Sequence, residues 1–145
     1  MRCNIQHAGY DFDKYDDLGD VSYSSFIDIF HNFPWQDEIE IRDAHDGSEP
    51  TISIVDEKIN KTLWVSVVGD RNKFDYIIGL VEPTEIKTWF GFGKPKIKDW
   101  VMAYTTEDIK DVELCFKLFM DFRSDELQKI FKNLPLFLDL PARKI

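Results

Sequence analysis

Residues 61–81 read KTLWVSVVGDRNKFDYIIGLV, and the alternation in this stretch decides the fold. Leu63, Val65 and Val67 share one face of an extended chain, and Trp64, Ser66 and Val68 the other. Gly69, Asp70, Arg71 and Asn72 form a polar break, after which Phe74, Tyr76, Ile78 and Leu80 alternate with Asp75, Ile77, Gly79 and Val81. Two β-rich runs across four turn-forming residues predict an antiparallel hairpin. Both faces of both strands are largely apolar, which predicts the centre of a sheet covered on both sides.

On the N-terminal side, Ile52 and Ile54 mark a strand preceded by the turn Asp43 to Pro50. Ile39 and Ile41 alternate with Glu38, Glu40 and Arg42, which predicts a strand over 37–43 with one wet face. Phe26, Ile29, Phe30 and Phe33 fall on one helical face, with Ser22 or Ser24 as cap and Pro34 as stop. Residues 1–20 show no clear period and read as an irregular acidic lead-in with room for a short strand.

On the C-terminal side, residues 86–92 and 97–104 read as strands around a turn at Gly91 to Pro95. Lys94, Lys96 and Lys98 alternate there, a rhythm that guards a sheet edge. Thr105-Thr106-Glu107-Asp108 is a helix start. The stripe Ile109, Val112, Cys115, Phe116, Phe119 and Phe122 follows it. Ser124-Asp125-Glu126 opens a shorter helix with Leu127, Ile130, Phe131 and Leu134 on one face, and Pro135 and Pro141 bracket a last apolar stretch. The order predicts a single α+β domain over 1–145. Its mainly antiparallel sheet has five to six strands, with an N-terminal helix and two C-terminal helices mostly on one face.

A chain of 145 residues buries roughly 70% of its unfolded surface and needs no metal or disulfide to fold. Aromatics are 14% of it, twelve of them Phe, which argues for a packed core and against disorder. No run approaches the ~18 apolar residues of a membrane span, and the N-terminus lacks the apolar core of a secretory signal. Two cysteines far apart in sequence read as free thiols, which with the rest predicts a cytoplasmic protein.

The charge is unevenly placed. Residues 1–50 carry twelve acids against Arg2, Lys14 and Arg42, whereas residues 51–145 carry fifteen acids and fifteen bases. The whole net charge of −9 therefore sits in the first third. That asymmetry predicts a basic partner and argues against direct contact with nucleic acid or an anionic membrane.

Catalytic chemistry is sparse. His45 sits between Asp43 and Asp46, but no His-x-x-x-His or Cys-x-x-Cys pair supplies further metal ligands. Residues 11–22 lack the glycine and the bidentate glutamate of a calcium loop: Asp16 and Ser22 stand in those places. Cys115 lies on an apolar helical stripe, and Ser66 is in the sheet with no Gly-x-Ser-x-Gly elbow around it. Gly91-Phe92-Gly93-Lys94 is too short for a phosphate loop. The expectation is a protein that is not an enzyme and takes no metal or cofactor.

Three segments and a Phe-rich helix carry a family resemblance. They are Pro50-Thr51-Ile52-Ser53-Ile54, Leu63-Trp64-Val65-Ser66 and Phe74 to Leu80, followed by Phe116, Phe119 and Phe122. Over residues 22–133 the chain resembles the immunity proteins that bacteria carry against their own polymorphic or contact-dependent toxins. The resemblance implies stoichiometric binding to a cognate toxin domain, often a basic nuclease, with its active site or substrate surface blocked. The residues expected to form the contact are acidic: Asp37, Glu38 and Glu40 on the wet side of the expected strand, with Asp43, Asp46 and Glu49 in the turn. Asp11, Asp13, Asp16 and Asp17 extend that patch, and Tyr23 and Trp35 are the expected aromatic anchors. Two readings of other classes stand beside it: an acidic scaffold or phage-derived module that mimics nucleic acid, and a structural homodimer.

Overall fold

A computed structural model describes residues 1–86 and 96–142. The elements in chain order are β1 (Arg2–Gln6), β2 (Asp16–Asp20), α1 (Tyr23–Asn32), α2 (Trp35–Ala44), β3 (Thr51–Asp56), β4 (Lys61–Gly69), β5 (Phe74–Ile86), β6 (Lys96–Thr106), α3 (Ile109–Met120), α4 (Ser124–Phe131) and β7 (Leu136–Pro141). The strands form one seven-stranded sheet in the order β2-β1-β3-β4-β5-β6-β7, with every neighbouring pair antiparallel. The α+β class and the central hairpin are as the pattern predicts, with Leu63 opposite Leu80 and Val65 opposite Ile78. β4 is the middle strand of the sheet.

All four helices place apolar side chains in one cluster on one face of the sheet. Phe26 and Phe30 of α1, Trp35 and Ile39 of α2, Val112, Cys115 and Phe116 of α3, and Leu127 and Phe131 of α4 meet Ile52, Ile54, Leu63, Val65, Val67 and Ile78 there. Phe26 stacks on Phe116 at 4.2 Å and Tyr104 on Phe131 at 4.5 Å between ring centroids. Ser22 caps α1, its Oγ accepting from the Ser25 amide at 3.1 Å. Asp108 caps α3, and the preceding Thr106 Oγ1 accepts from the Asp108 amide and donates to Asp111.

The architecture departs from expectation in four places. The predicted strand over 37–43 is instead helix α2. Its first turn carries Asp37 and Glu38 at the positive end of the dipole and its last turn carries Arg42, the charge order that a helix favours. The inward positions are Trp35, Glu38 and Ile39, so a glutamate interrupts the apolar stripe and hides the 3.6-residue period, while Ile41 stays exposed.

The lead-in holds two strands of the sheet: β1 lies inside it with Cys3 and Ile5 buried, and β2 forms the edge beside it. The apolar stretch after Pro135 is β7, at the opposite edge. The helices cover one face, as the predicted class has it, so the hairpin's second apolar face is left uncovered by helix. Trp64, on the other face, is half-buried, where both faces were expected to be covered. The strand expected over 86–92 is represented by the end of β5 at Ile86, and the rest of it, with the turn 91–95 and Lys94, lies outside the described residues.

Candidate functional site

Two loops at the acidic edge of the sheet are locked into one surface. One is the β1–β2 connection, residues 7–15, and the other is the α2–β3 turn, residues 45–50. The Gly9 amide donates to the Ser48 carbonyl at 3.1 Å, the Ser48 amide to the Tyr10 carbonyl at 3.0 Å, and Ser48 Oγ to the His7 carbonyl at 3.0 Å. Gly47, at φ +142°, makes the approach feasible: a Cβ there would fall 2.8 Å from the Gly9 backbone. Gln6 completes the brace, its Nε2 donating to the Phe12 and Lys14 carbonyls at 3.0 and 3.1 Å.

This brace presents side chains and does not bury them. Phe12 is 66% exposed and Tyr15 is 56% exposed, between the exposed Asp11, Asp13 and Asp17. Asp11, Phe12 and Asp13 face Asp46 and Gly47 across an open concavity of about 630 Å³. The Gly19 amide and the Arg2 guanidinium hold the Asp17 carboxyl below the usual carboxylate range, so it stays charged at neutral pH.

Beneath the surface lies a polar cluster that no sequence motif signals. Glu38, 4% exposed, accepts from the Ala8 amide through Oε2 at 2.7 Å and meets His7 Nδ1 through Oε1. His7 Nε2 lies 3.4 Å from Asp16, whose other partner is the Tyr10 hydroxyl at 3.2 Å. The imidazole stacks on Phe33 at 5.6 Å. A carboxylate–imidazole–carboxylate row has the form of a general-base relay, but the one hydroxyl in it, that of Tyr10, is bonded to Asp16 and not to the imidazole. The row ties β1, β2 and α2 together and so shapes the loops above it.

The structure separates the expected contact residues. Glu38 is buried under the loops, because its helical position points inward; it does not share a wet face with Glu40. Trp35 is 7% exposed and packed at 4.5 Å from Phe33 within the core, so it is no surface anchor. Tyr23 is half-buried against α3, donating to the Glu113 carbonyl at 3.1 Å with the Lys117 ammonium 5.1 Å from its ring.

Asp37, Glu40, Asp43, Asp46 and Glu49 are exposed as expected. Glu40 pairs with Arg71, while Asp43 and Glu49 share Arg42 at 2.9 and 3.5 Å. Asp37 lies at the other end of α2, beside Pro34 and Phe74. Asp46 alone of this set lines the concavity, with Asp11 and Asp13. The aromatic residues at the acidic surface are Phe12 and Tyr15, and the legible signal for them was local. In Asp-Phe-Asp-Lys-Tyr-Asp-Asp the two rings stand among five charged residues.

Other chemistry is limited among the described residues. No group of three His, Cys, Asp or Glu side chains is arranged to hold a metal ion. His45 is exposed in the turn. Cys3 and Cys115 are fully buried free thiols, pushed by burial up to about 11 and about 12. No helix among them is long and apolar enough to cross a membrane. A second concavity of about 550 Å³ lies on the helix-free face, with Trp64, Ser66 and Ile77 as its floor and Arg42, Thr51 and Phe137 around it. Comparison of the chain with protein-family models, curated proteins and solved structures finds no match.

Proposed function

We propose that this chain is a non-catalytic binding protein that neutralises a cognate basic toxin domain, a nuclease in the simplest case, by stoichiometric contact through its acidic edge. One observation carries the reading: Asp11 and Asp13 face Asp46 across a braced concavity, with Phe12 exposed between them. A nuclease needs a basic cleft for phosphates. An acidic surface raises the rate at which such a cleft is found, by factors of roughly 10 to 10³. The exposed ring supplies what charge alone does not, an apolar anchor at the centre of the patch. Bracing both loops before contact keeps the ordering cost of binding low.

The test is co-expression with the C-terminal domain of a large secreted protein encoded immediately upstream. The wild-type chain restores growth, and the triple variant Asp11→Lys, Asp13→Lys, Asp46→Lys does not. Absence of such a neighbour, or rescue undiminished in the triple variant, overturns the proposal.

A further inference from the structure

β7 ends the sheet, and its sequence, Leu-Phe-Leu-Asp-Leu-Pro, is unlike that of a guarded edge. Leu136 is 57% exposed, Phe137 46% and Leu140 37%. The other edge, β2, is defended by Asp16, Asp17 and Asp20; a register shift against the neighbouring strand is present at both edges. On β6, Lys96 and Lys98 lie beyond the stretch that β7 covers, which runs from Trp100 to Tyr104. Within β7 the sole charge is Asp139, and Trp100 Nε1 donates to it at 2.7 Å from the neighbouring strand. Among the described residues nothing pairs with the outer side of β7.

We propose that β7 is a self-pairing edge, through which two copies of this chain join antiparallel about a two-fold axis at Leu138 to form one continuous sheet. Charge favours this partner. The acidic first third builds β1, β2, α1 and α2, and the strand order places β2 at the far edge from β7. At ~4.8 Å per strand the two edges are about 30 Å apart, nearly four times the ~8 Å Debye length at physiological ionic strength. Residues 51–145 carry no net charge, so copies meet across β7 without the repulsion that pairing β2 with itself would bring. Pairing β7 with β2 of the partner subunit would be heterologous and would not close.

The register follows from two residues. The Ala142 amide donates to the Asp99 carbonyl at 2.9 Å. By the alternation of an antiparallel ladder, Leu140 and Leu138 therefore face β6 and Asp139 faces outward; beyond Leu138 the register shifts, Tyr104 pairing with Leu136, so that Phe137 is an extra residue on β7. Pro141 also faces outward and has no amide to offer. An axis at Asp139 would oppose two carboxylates and pair Phe137 with the proline. An axis at Leu138 keeps the carboxylates apart, setting Asp139 beside the partner's Phe137. It also sets Leu138 against its own copy. Phe137 and Leu138 already wall the concavity over Trp64, so the apolar surface runs on into the second copy.

The experiment is sedimentation equilibrium of the full chain from low to high micromolar concentration, with cysteine pairing as a register check. A concentration-dependent dimer is expected. Leu136→Lys with Phe137→Lys abolishes it while far-UV circular dichroism stays that of the wild type. Leu138→Cys forms an intermolecular disulfide under mild oxidation, because self-opposed Cβ atoms lie ~4.5–5.5 Å apart. Leu136→Cys alone does not. A monomer throughout the range overturns the proposal, as does a dimer that survives the lysine pair. Leu136→Cys crosslinking to itself as readily as Leu138→Cys overturns the register and with it the two-fold at Leu138. None of these outcomes depends on the toxin contact at the opposite edge.

Discussion

The indole of Trp64 occupies the space that a side chain on Gly79 would need. The two residues are cross-strand partners in the central hairpin, and a Cβ at Gly79 would lie 2.5 Å from Trp64 Nε1 and closer still to Cε2 and Cζ2. Glycine in mid-strand is ordinarily unfavourable. Here it gives the ring a flat seat on the helix-free face. Gly79→Ala is expected to destabilise the protein by about 1–3 kcal/mol through overpacking. Trp64→Ala should relieve that strain, so chemical denaturation of the double variant should show clear non-additivity. Additive costs would mean that the ring has another resting place. Phe116→Ala, fully buried and stacked on Phe26, should cost about 3–5 kcal/mol.

Phe122 sits just past α3 with φ +60° and is 70% exposed, although its spacing placed it on the buried stripe. Its amide bonds to the Phe119 carbonyl and the Arg123 amide to the Leu118 carbonyl, so the chain turns through a left-handed residue there. A phenylalanine in that conformation is disfavoured by about 1–2 kcal/mol. Phe122→Gly is therefore expected to raise the denaturation midpoint. A lowered midpoint would show that the ring earns its place through packing.

Glu38 and the surface acids should separate cleanly by mutation. Glu38→Ala leaves the Ala8 amide and His7 without their partner and should cost about 1–3 kcal/mol. Glu38→Lys puts an unpaired cation in the same buried place and should cost more. Asp11→Lys, Asp13→Lys and Asp46→Lys, on exposed positions, should each stay within about 0.5 kcal/mol. With the cognate toxin domain they should slow association and flatten its dependence on ionic strength. Stopped-flow mixing at two salt concentrations checks this, and an unchanged on-rate would remove the acidic edge from the mechanism.

The two thiols predict an alkaline limb of stability. Burial raises Cys3 to about 11 and Cys115 to about 12, against an ordinary value of 9.0 for each. A raised value in the folded state means that the neutral thiol is favoured there. Its contribution is fully present below pH 9 and is lost as pH rises through 9 to about 11 and beyond. Thermal melts across pH 8–11 should show a falling midpoint, shallower once Cys3 and Cys115 are both replaced by Ala. A thiol reagent at neutral pH should label neither cysteine before unfolding.

The residue pattern by itself determined the α+β class, the hairpin of β4 and β5 at the sheet centre, and the buried stripes of α1 and α3 apart from Ile109 and Phe122 at the ends of the latter, because apolar periodicity reports directly which side of an element leaves water. It also determined that the net charge lies in the first third. Tertiary structure alone decided that 35–44 is a helix. The residue completing its inward face is Glu38, and a buried glutamate reads as solvent-facing until its partners, His7 and the Ala8 amide some thirty positions away in sequence, are in view. The same long-range pairing turned residues 2–6 into an inner strand against β3, where propensity alone is weak. It also brought Asp11 and Asp13 opposite Asp46, since loop positions follow from which strands pair and local sequence does not encode that choice.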